Sequence, residues 1–253
     1  MDRLTSQLRR SLGISDQKKL QHTYQYYKLT IMRDKISVVT ARINNRDSLL
    51  DSQERGSAEF VAYVDAPTIS ITWELREACK LFFSGRRNSR IHKILIHQYI
   101  SSEYSLWMDA NMQLLVPAER LVDEWLSQHD VAIFKHRVRN CIYEEAQKCI
   151  ELGLDDPRVI AEQVATYKAK NFPSDQGLAE ACVILRRHTP AVEAFNNAWW
   201  AEYSRHSVRD QIRLMVAAHK SGIILNLVTP TRFDNPYFIS HSRPPSIEYT
   251  QDV

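Results

Sequence analysis

Short β-branched or apolar runs recur along this chain, separated by stretches of helical period, and this alternation limits the fold more than any other feature. Lys35–Ala41, Glu59–Asp65, Tyr104–Asp109, Val131–Lys135, Ala181–Arg186 and Ile223–Val228 read as strands, with Thr68–Glu74 as a further alternating one. Arg86–Ile100, Pro117–Gln128, Asn140–Leu152, Pro157–Lys170, Pro190–Arg205 and Val208–Lys220 read as helices. Pro117 stands at a first turn, where proline is favoured. Strands divided by helices predict an α/β domain with a central mixed, mostly parallel sheet flanked by helices. Its expected extent is residues 35–230. Residues 1–34 read as a helical extension, with Leu4, Leu8 and Leu12 on one stripe and Gly13 as the stop. Residues 231–253 read as an irregular Pro-rich tail.

Composition removes several classes. Of 253 residues, 44% are hydrophobic and 25% charged, which suits one globular domain rather than a disordered chain or a coiled coil. Only 6 glycines are present, and neither GxxxxGK[ST] nor GxGxxG occurs. A phosphorylated ligand must therefore be neutralised without a glycine loop. The four cysteines form no CxxC pair, HExxH is absent and so is GxSxG, which disfavours zinc and serine hydrolases. No run approaches about 20 apolar residues and the N-terminus has no secretory core, so a cytoplasmic protein without a transmembrane segment is expected. A net charge of +3 permits an acidic partner without requiring one.

Chemistry is expected at the strand ends. YSLWMDAN pushes Asp109 to the C-terminal margin of a buried strand, where α/β sheets bind ligands. With Asn111 it offers hard oxygen donors for Mg²⁺ or Mn²⁺, and such an ion clamps a diphosphate. Asp at a strand end also serves as an ordinary turn or cap residue. Lys135, His136, Arg137 and Arg139 crowd a second strand end, suited to an anionic acceptor or to a solvated loop. Trp199 and Trp200 cannot both face one core stripe, so one of them, Trp200, is a candidate to line a sugar cleft. Arg86, Arg87, Arg90 and Lys93 form a basic group at a helix start. Asp210 and Gln211 open a helix, where the carboxylate also fits a plain first-turn charge.

These strings together, RIHKILIHQYI, YSLWMDANMQLLVP, VAIFKHRVRNCIYEEAQKCI, GLAEACVILRRHTP and FNNAWWAEYSRHSVRDQIRL, resemble a glycosyltransferase-like family of plants and microbes, formerly a domain of unknown function. The match runs from about Lys35 to Lys220. The resemblance implies a GT-A fold, a UDP- or GDP-linked sugar donor and a divalent metal. It puts Asp109 and Asn111 in the place of the Asp-x-Asp metal and ribose motif. It places Thr40, Ala41 and Arg42 against the nucleotide and Asp65 against the base. Arg90 and Lys93 fall near the diphosphate, Asp210 and Gln211 by the donor sugar, and His241 as an extra metal ligand from the tail. Asp210, Glu202 and Glu180, in that order, are the expected proton acceptors for the acceptor hydroxyl. The expected function is sugar transfer to a surface glycan or lipopolysaccharide-type acceptor. A hydroxymethylated base in viral DNA is the alternative acceptor, and a non-catalytic sugar-binding shell the alternative to an enzyme.

Overall fold

The computed structural model describes residues 36–45, 47–205, 210–229 and 231–242. The expected extension over 1–34 lies outside them. Nine strands and six α-helices are present among the described residues. The strands are β1 (Ile36–Arg42), β2 (Glu59–Val64), β3 (Glu74–Glu77), β4 (Tyr104–Met108), β5 (Met112–Leu114), β6 (Val131–Lys135), β7 (Ala179–Arg187), β8 (Leu225–Val228) and β9 (Phe238–Ser240). The helices are α1 (Gly85–Ile94), α2 (Ala118–Trp125), α3 (Ile142–Glu151), α4 (Pro157–Ala169), α5 (Pro190–Arg205) and α6 (Asp210–Ser221).

Seven strands form one sheet in the order β3-β2-β1-β4-β7-β6-β8. β3, β2, β1 and β4 run parallel, β7 is antiparallel to β4 and β6, and β8 is parallel to β6. Six strands therefore end on one edge, and β7 begins there. This is the mixed, mostly parallel GT-A-like sheet that the alternation and the resemblance imply. Both faces are covered, so the central strands β1, β4 and β7 are buried almost throughout rather than alternately, whereas the edge strands β3 and β8 are only part-buried. Val39, Tyr63, Trp107 and Ile184 face a core shared with Ile94 of α1, Val192 of α5 and Val216 of α6. Val38, Phe60, Leu106 and Leu185 face the other core, completed by Leu121 and Trp125 of α2.

Local chemistry explains the departures from expectation. Residues 68–73 alternate in polarity but are not a strand, and β3 begins only at Glu74. Their polar groups are taken by the 50–51 segment. Thr72 Oγ1 donates to the Asp51 carbonyl at 2.7 Å, Ser70 Oγ bonds the Asp51 carboxylate, and Trp73 Nε1 donates to the Leu50 carbonyl at 2.8 Å. Such side-chain bonds compete with a sheet ladder. The helix expected to reach Ile100 stops at Ile94 and continues as one 3₁₀ turn, Ile96–Gln98. The tail is not wholly irregular, because β9 pairs with β5 as a separate two-stranded sheet. Phe238 of β9 is buried and packs on Trp125 and Phe134.

Two devices shape the ligand edge. Gly177 enters β7 at φ +84°, and a Cβ there would lie 2.7 Å from Leu227 Cδ1, so only glycine suits the turn. The β6–β7 register then shifts between Ile133, opposite Ile184, and Phe134, opposite Glu180. Such irregularities re-aim side chains at sheet margins.

Helix α1 is capped by Ser84 and anchored by His92. His92 is fully buried, stacks on Tyr63 at 3.8 Å, and accepts from the Cys79 amide at 3.0 Å through Nε2. Burial pulls its pKa down to about 4, and burial with the Arg186 charge does the same to His188. An unfolded histidine titrates near 6.5, so below that pH the unfolded chain binds protons the native one does not. Their stabilisation is complete above pH 6.5 and is lost as pH falls toward 4, by up to about 3 kcal/mol each. Melting temperature should therefore fall over that range, and His92→Gln should flatten the fall; a flat wild-type profile contradicts this. Phe238→Ala should cost about 3 kcal/mol in urea unfolding, whereas a loss below about 1 kcal/mol would mean β9 contributes little.

Candidate active site

Asp109 follows β4 at the edge where the parallel strands end. Its amide donates to the Cys182 carbonyl at 2.9 Å, and Trp107 Nε1 donates to its Oδ1 at 3.3 Å. The carboxylate is thus fixed between β4 and β7 and remains partly accessible. Beside it, α1 carries Arg90 and Lys93 three residues apart, on one helical face. Both approach a single oxygen of Asp210, the first residue of α6. Arg90 Nε lies 3.0 Å and Lys93 Nζ 2.8 Å from Oδ2. Burial opposes the Arg90 charge, but the carboxylates of Asp210 and Asp109 outweigh it and raise its pKa. Two acids and two bases thus share one corner of the sheet edge.

A second group lies around the start of β7. Arg232 Nε is 3.6 Å from Glu180 Oε2, and His136 Nε2 is 4.0 Å from Glu180 Oε1. His136 accepts the Arg139 amide at 2.9 Å through Nδ1, and Arg139 Nε donates to Glu145 at 2.6 Å. Burial, helped by the Arg139 charge, lowers the His136 pKa. His136 and Arg139 therefore brace the loop after β6. Arg137 is exposed, and its guanidinium lies 5.2 Å from the Phe233 ring, with Arg232 at 4.2 Å. Cys182 sits among Asp109, Glu180, Arg232 and Lys93, yet burial and these carboxylates push its thiol to about 12, so it is no nucleophile.

Not every expected residue reaches this edge. Thr40 and Ala41 are buried inside β1, Ala41 in the core shared with α1. Arg42 is held by the Asp47 carbonyl and Thr68 Oγ1, each at 3.0 Å. Asp65 lies at the end of β2, and its Oδ2 accepts the Asn44 amide at 2.8 Å. Glu202 is buried, bonded by Tyr167 at 2.8 Å and paired with Lys220. Lys220 is ten residues along α6 from Asp210, or roughly 15 Å of helix. Glu202 therefore braces the helical layer, away from the acid–base corner. Trp199 is core, whereas Trp200 is part-buried and packs against Phe82 and Tyr203. Gln211 follows Asp210 at the head of α6 and is half-buried. Arg232 carries no comparable signal in the sequence, since it lies in the segment between β8 and β9, four residues beyond Val228.

The expected metal donors meet only in part. Asn111 is buried, and its Nδ2 donates to the His241 carbonyl at 2.7 Å while the His241 amide donates back to the Asn111 carbonyl at 3.0 Å. The His241 ring pairs with Gln113 Oε1 at 3.0 Å. Among the described residues no three His, Cys, Asp or Glu side chains converge as a metal cage. The donor set fits a hard cation that takes few protein oxygens and completes its shell with water and phosphate, as Mg²⁺ does.

Residues 63–229 match the model of the TOD1/MUCI70, glycosyltransferase-like domain. Among curated proteins, the probable hexosyltransferase MUCI70 of Arabidopsis thaliana is 31% identical over 150 residues, 55% of this chain and 26% of that protein. The alkaline ceramidase TOD1 of Arabidopsis thaliana is 27% identical over 144 residues, 52% of this chain and 31% of that protein. The matched part thus spans between a quarter and a third of these relatives' length. Among solved structures, the galactosyltransferase LgtC with donor and acceptor sugar analogues overlaps at TM-score 0.45 and 10% identity, over 76% of this chain and 72% of that one. The WbbM bifunctional glycosyltransferase overlaps at TM-score 0.44 and 11% identity, over 78% and 39%. The strand order described above identifies the fold without these overlaps. The family match covers most of the chain and includes Asp109, Arg90, Lys93, Glu180 and Asp210, and the chain belongs to the TOD1/MUCI70 glycosyltransferase-like domain family.

Proposed function

We propose that this domain transfers a sugar from a UDP- or GDP-linked donor to a hydroxyl on a glycan acceptor, with Mn²⁺ or Mg²⁺ at Asp109. The observation that carries the reading is the corner where Asp210 pairs with both Arg90 and Lys93, with the Asp109 carboxylate adding its field at Arg90. Cleaving a sugar–diphosphate bond demands stabilisation of the leaving charge more than a strong base. A divalent cation bound there would supply part of that stabilisation. Arg90, the more accessible base of the pair, faces the diphosphate as a fixed cation. Lys93 is 2% exposed and acts through Asp210 rather than on the ligand.

Asp210, gripped by two cations, is better suited to accepting hydrogen bonds from donor-sugar hydroxyls, with Gln211 beside it. That leaves Glu180, at the β7 start on the same edge, as the proton acceptor for the incoming hydroxyl. Arg137, Arg232 and Phe233 form the wall on the acceptor side, and Trp200 lies near the head of α1 through Phe82. The family match and the curated hexosyltransferase relative support transfer to a glycan; nothing in the comparisons favours DNA as acceptor. A second reading, a sugar-binding shell without turnover, is favoured by one observation: position 111 offers a cation only the neutral Oδ1 of an amide whose Nδ2 is held by the His241 carbonyl, not a second carboxylate.

A panel of UDP- and GDP-sugars with Mn²⁺, assayed for nucleoside diphosphate release, separates the two. Turnover of one donor is expected. Glu180→Gln should lower kcat by about 100-fold or more with little change in KM. Glu202→Gln should lower stability and leave kcat nearly unchanged. Donor binding without release in any combination would favour the sugar-binding shell.

A further inference from the structure

The loop between β3 and α1 displays apolar side chains in a fixed shape that the proposed reaction does not use. Asn88 of α1 pins it three times: its Oδ1 accepts the Leu81 and Phe82 amides at 3.1 and 2.9 Å, and its Nδ2 donates to the Phe82 carbonyl at 2.8 Å. The Cys79 amide is held by His92. This clamp turns Phe82 inward toward Trp200 and leaves its neighbours outside. Phe83 is fully exposed and Leu81 is 73% exposed. In the β2–β3 loop, Ile69 and Ile71 are exposed as well. Β3 pairs with β2 and the Ala78 amide donates to the Val64 carbonyl, so the 79–83 loop leaves the sheet edge beside the end of β2.

Large exposed apolar side chains on an ordered loop mark a contact surface. The surrounding charge indicates what it contacts. Between Glu77 and Glu103 the chain has no acidic residue, and it carries Lys80, Arg86, Arg87, Arg90 and Lys93. Lys80 is paired with Glu77, Arg90 and Lys93 with Asp210, and Arg87 lies over the Phe82 ring at 5.8 Å. Arg86 and Arg87 follow Phe83 in the first turn of α1. Apolar side chains ahead of guanidinium groups match the two layers of an anionic bilayer surface, acyl chains beneath phosphate headgroups. We propose that the Leu81–Phe83 loop is a peripheral docking element for anionic membranes. Among the described residues no helix is long and apolar enough to cross a membrane, so contact by this element is interfacial. Because α1 carries both the docking loop and Arg90, docking would bring the ligand edge close to the lipid surface. The inference is independent of the catalytic reading, since its readout needs no donor or metal.

The full chain should be sedimented with vesicles of phosphatidylcholine alone and with about 30% phosphatidylglycerol. Binding to the anionic vesicles is expected, weak to the neutral ones, and reduced by about 0.5 M salt. Leu81→Ser/Phe83→Ser should weaken it at least tenfold without moving the melting temperature, because neither side chain is core. A control pair elsewhere on the surface, Leu152→Ser/Leu154→Ser, should bind as wild type. Absence of wild-type binding, or equal binding by the Leu81/Phe83 variant, overturns the proposal. So does a wild-type dimer that this variant dissolves while vesicles are ignored, which would make the patch a self-interface.

Discussion

A single carboxylate oxygen holds the ligand edge together. Asp210 Oδ2 receives Lys93 and Arg90 from α1, and through them the first residue of α6 is tied to α1. Lys93 is almost fully enclosed, so its charge is tolerable only with that partner. Removing one member of a buried pair typically costs about 3–5 kcal/mol, because the other charge is stranded. Well-packed apolar residues would serve stability equally well at such a position. Retaining charge there is the mark of a site whose electrostatics matter, with Asp109 close enough to support the Arg90 charge.

The reversed strand β7 does the rest. Entering from the ligand edge through the Gly177 turn, it brings Glu180 and Cys182 beside Asp109. The register shift against β6 separates Glu180 from the regular ladder and places it near His136 and Arg232. The edge therefore has two halves of different character. One is an acid–base corner for a diphosphate, and the other a wall of arginines round Phe233 with one acid.

Much of this was readable in the residues. Asp109 stood out because an apolar strand ends on it, and the Trp199/Trp200 pair divides between core and margin as helical geometry requires. The pairing of Lys93 with Asp210 was not readable, because 117 residues separate the two and no local pattern encodes the contact. β5 and β9 are three residues each, too short for a period to emerge. Residues 68–73 carry a strand-like alternation that Asp51 overrides with side-chain bonds, and nothing local to those six residues announces it. Glu202 had the right chemistry in the wrong place. Its partner Lys220 and the length of α6 put it far from Asp109, which only the packed helices reveal.

The central claim is that Asp109 binds a nucleoside diphosphate through a divalent cation, and calorimetric titration tests it most directly. UDP and GDP should bind the wild-type protein in the presence of Mn²⁺ and at least tenfold more weakly without it. Asp109→Asn should abolish the manganese-dependent gain while leaving the melting temperature of the free protein near wild type. Binding that ignores manganese, or that survives Asp109→Asn undiminished, would contradict the account.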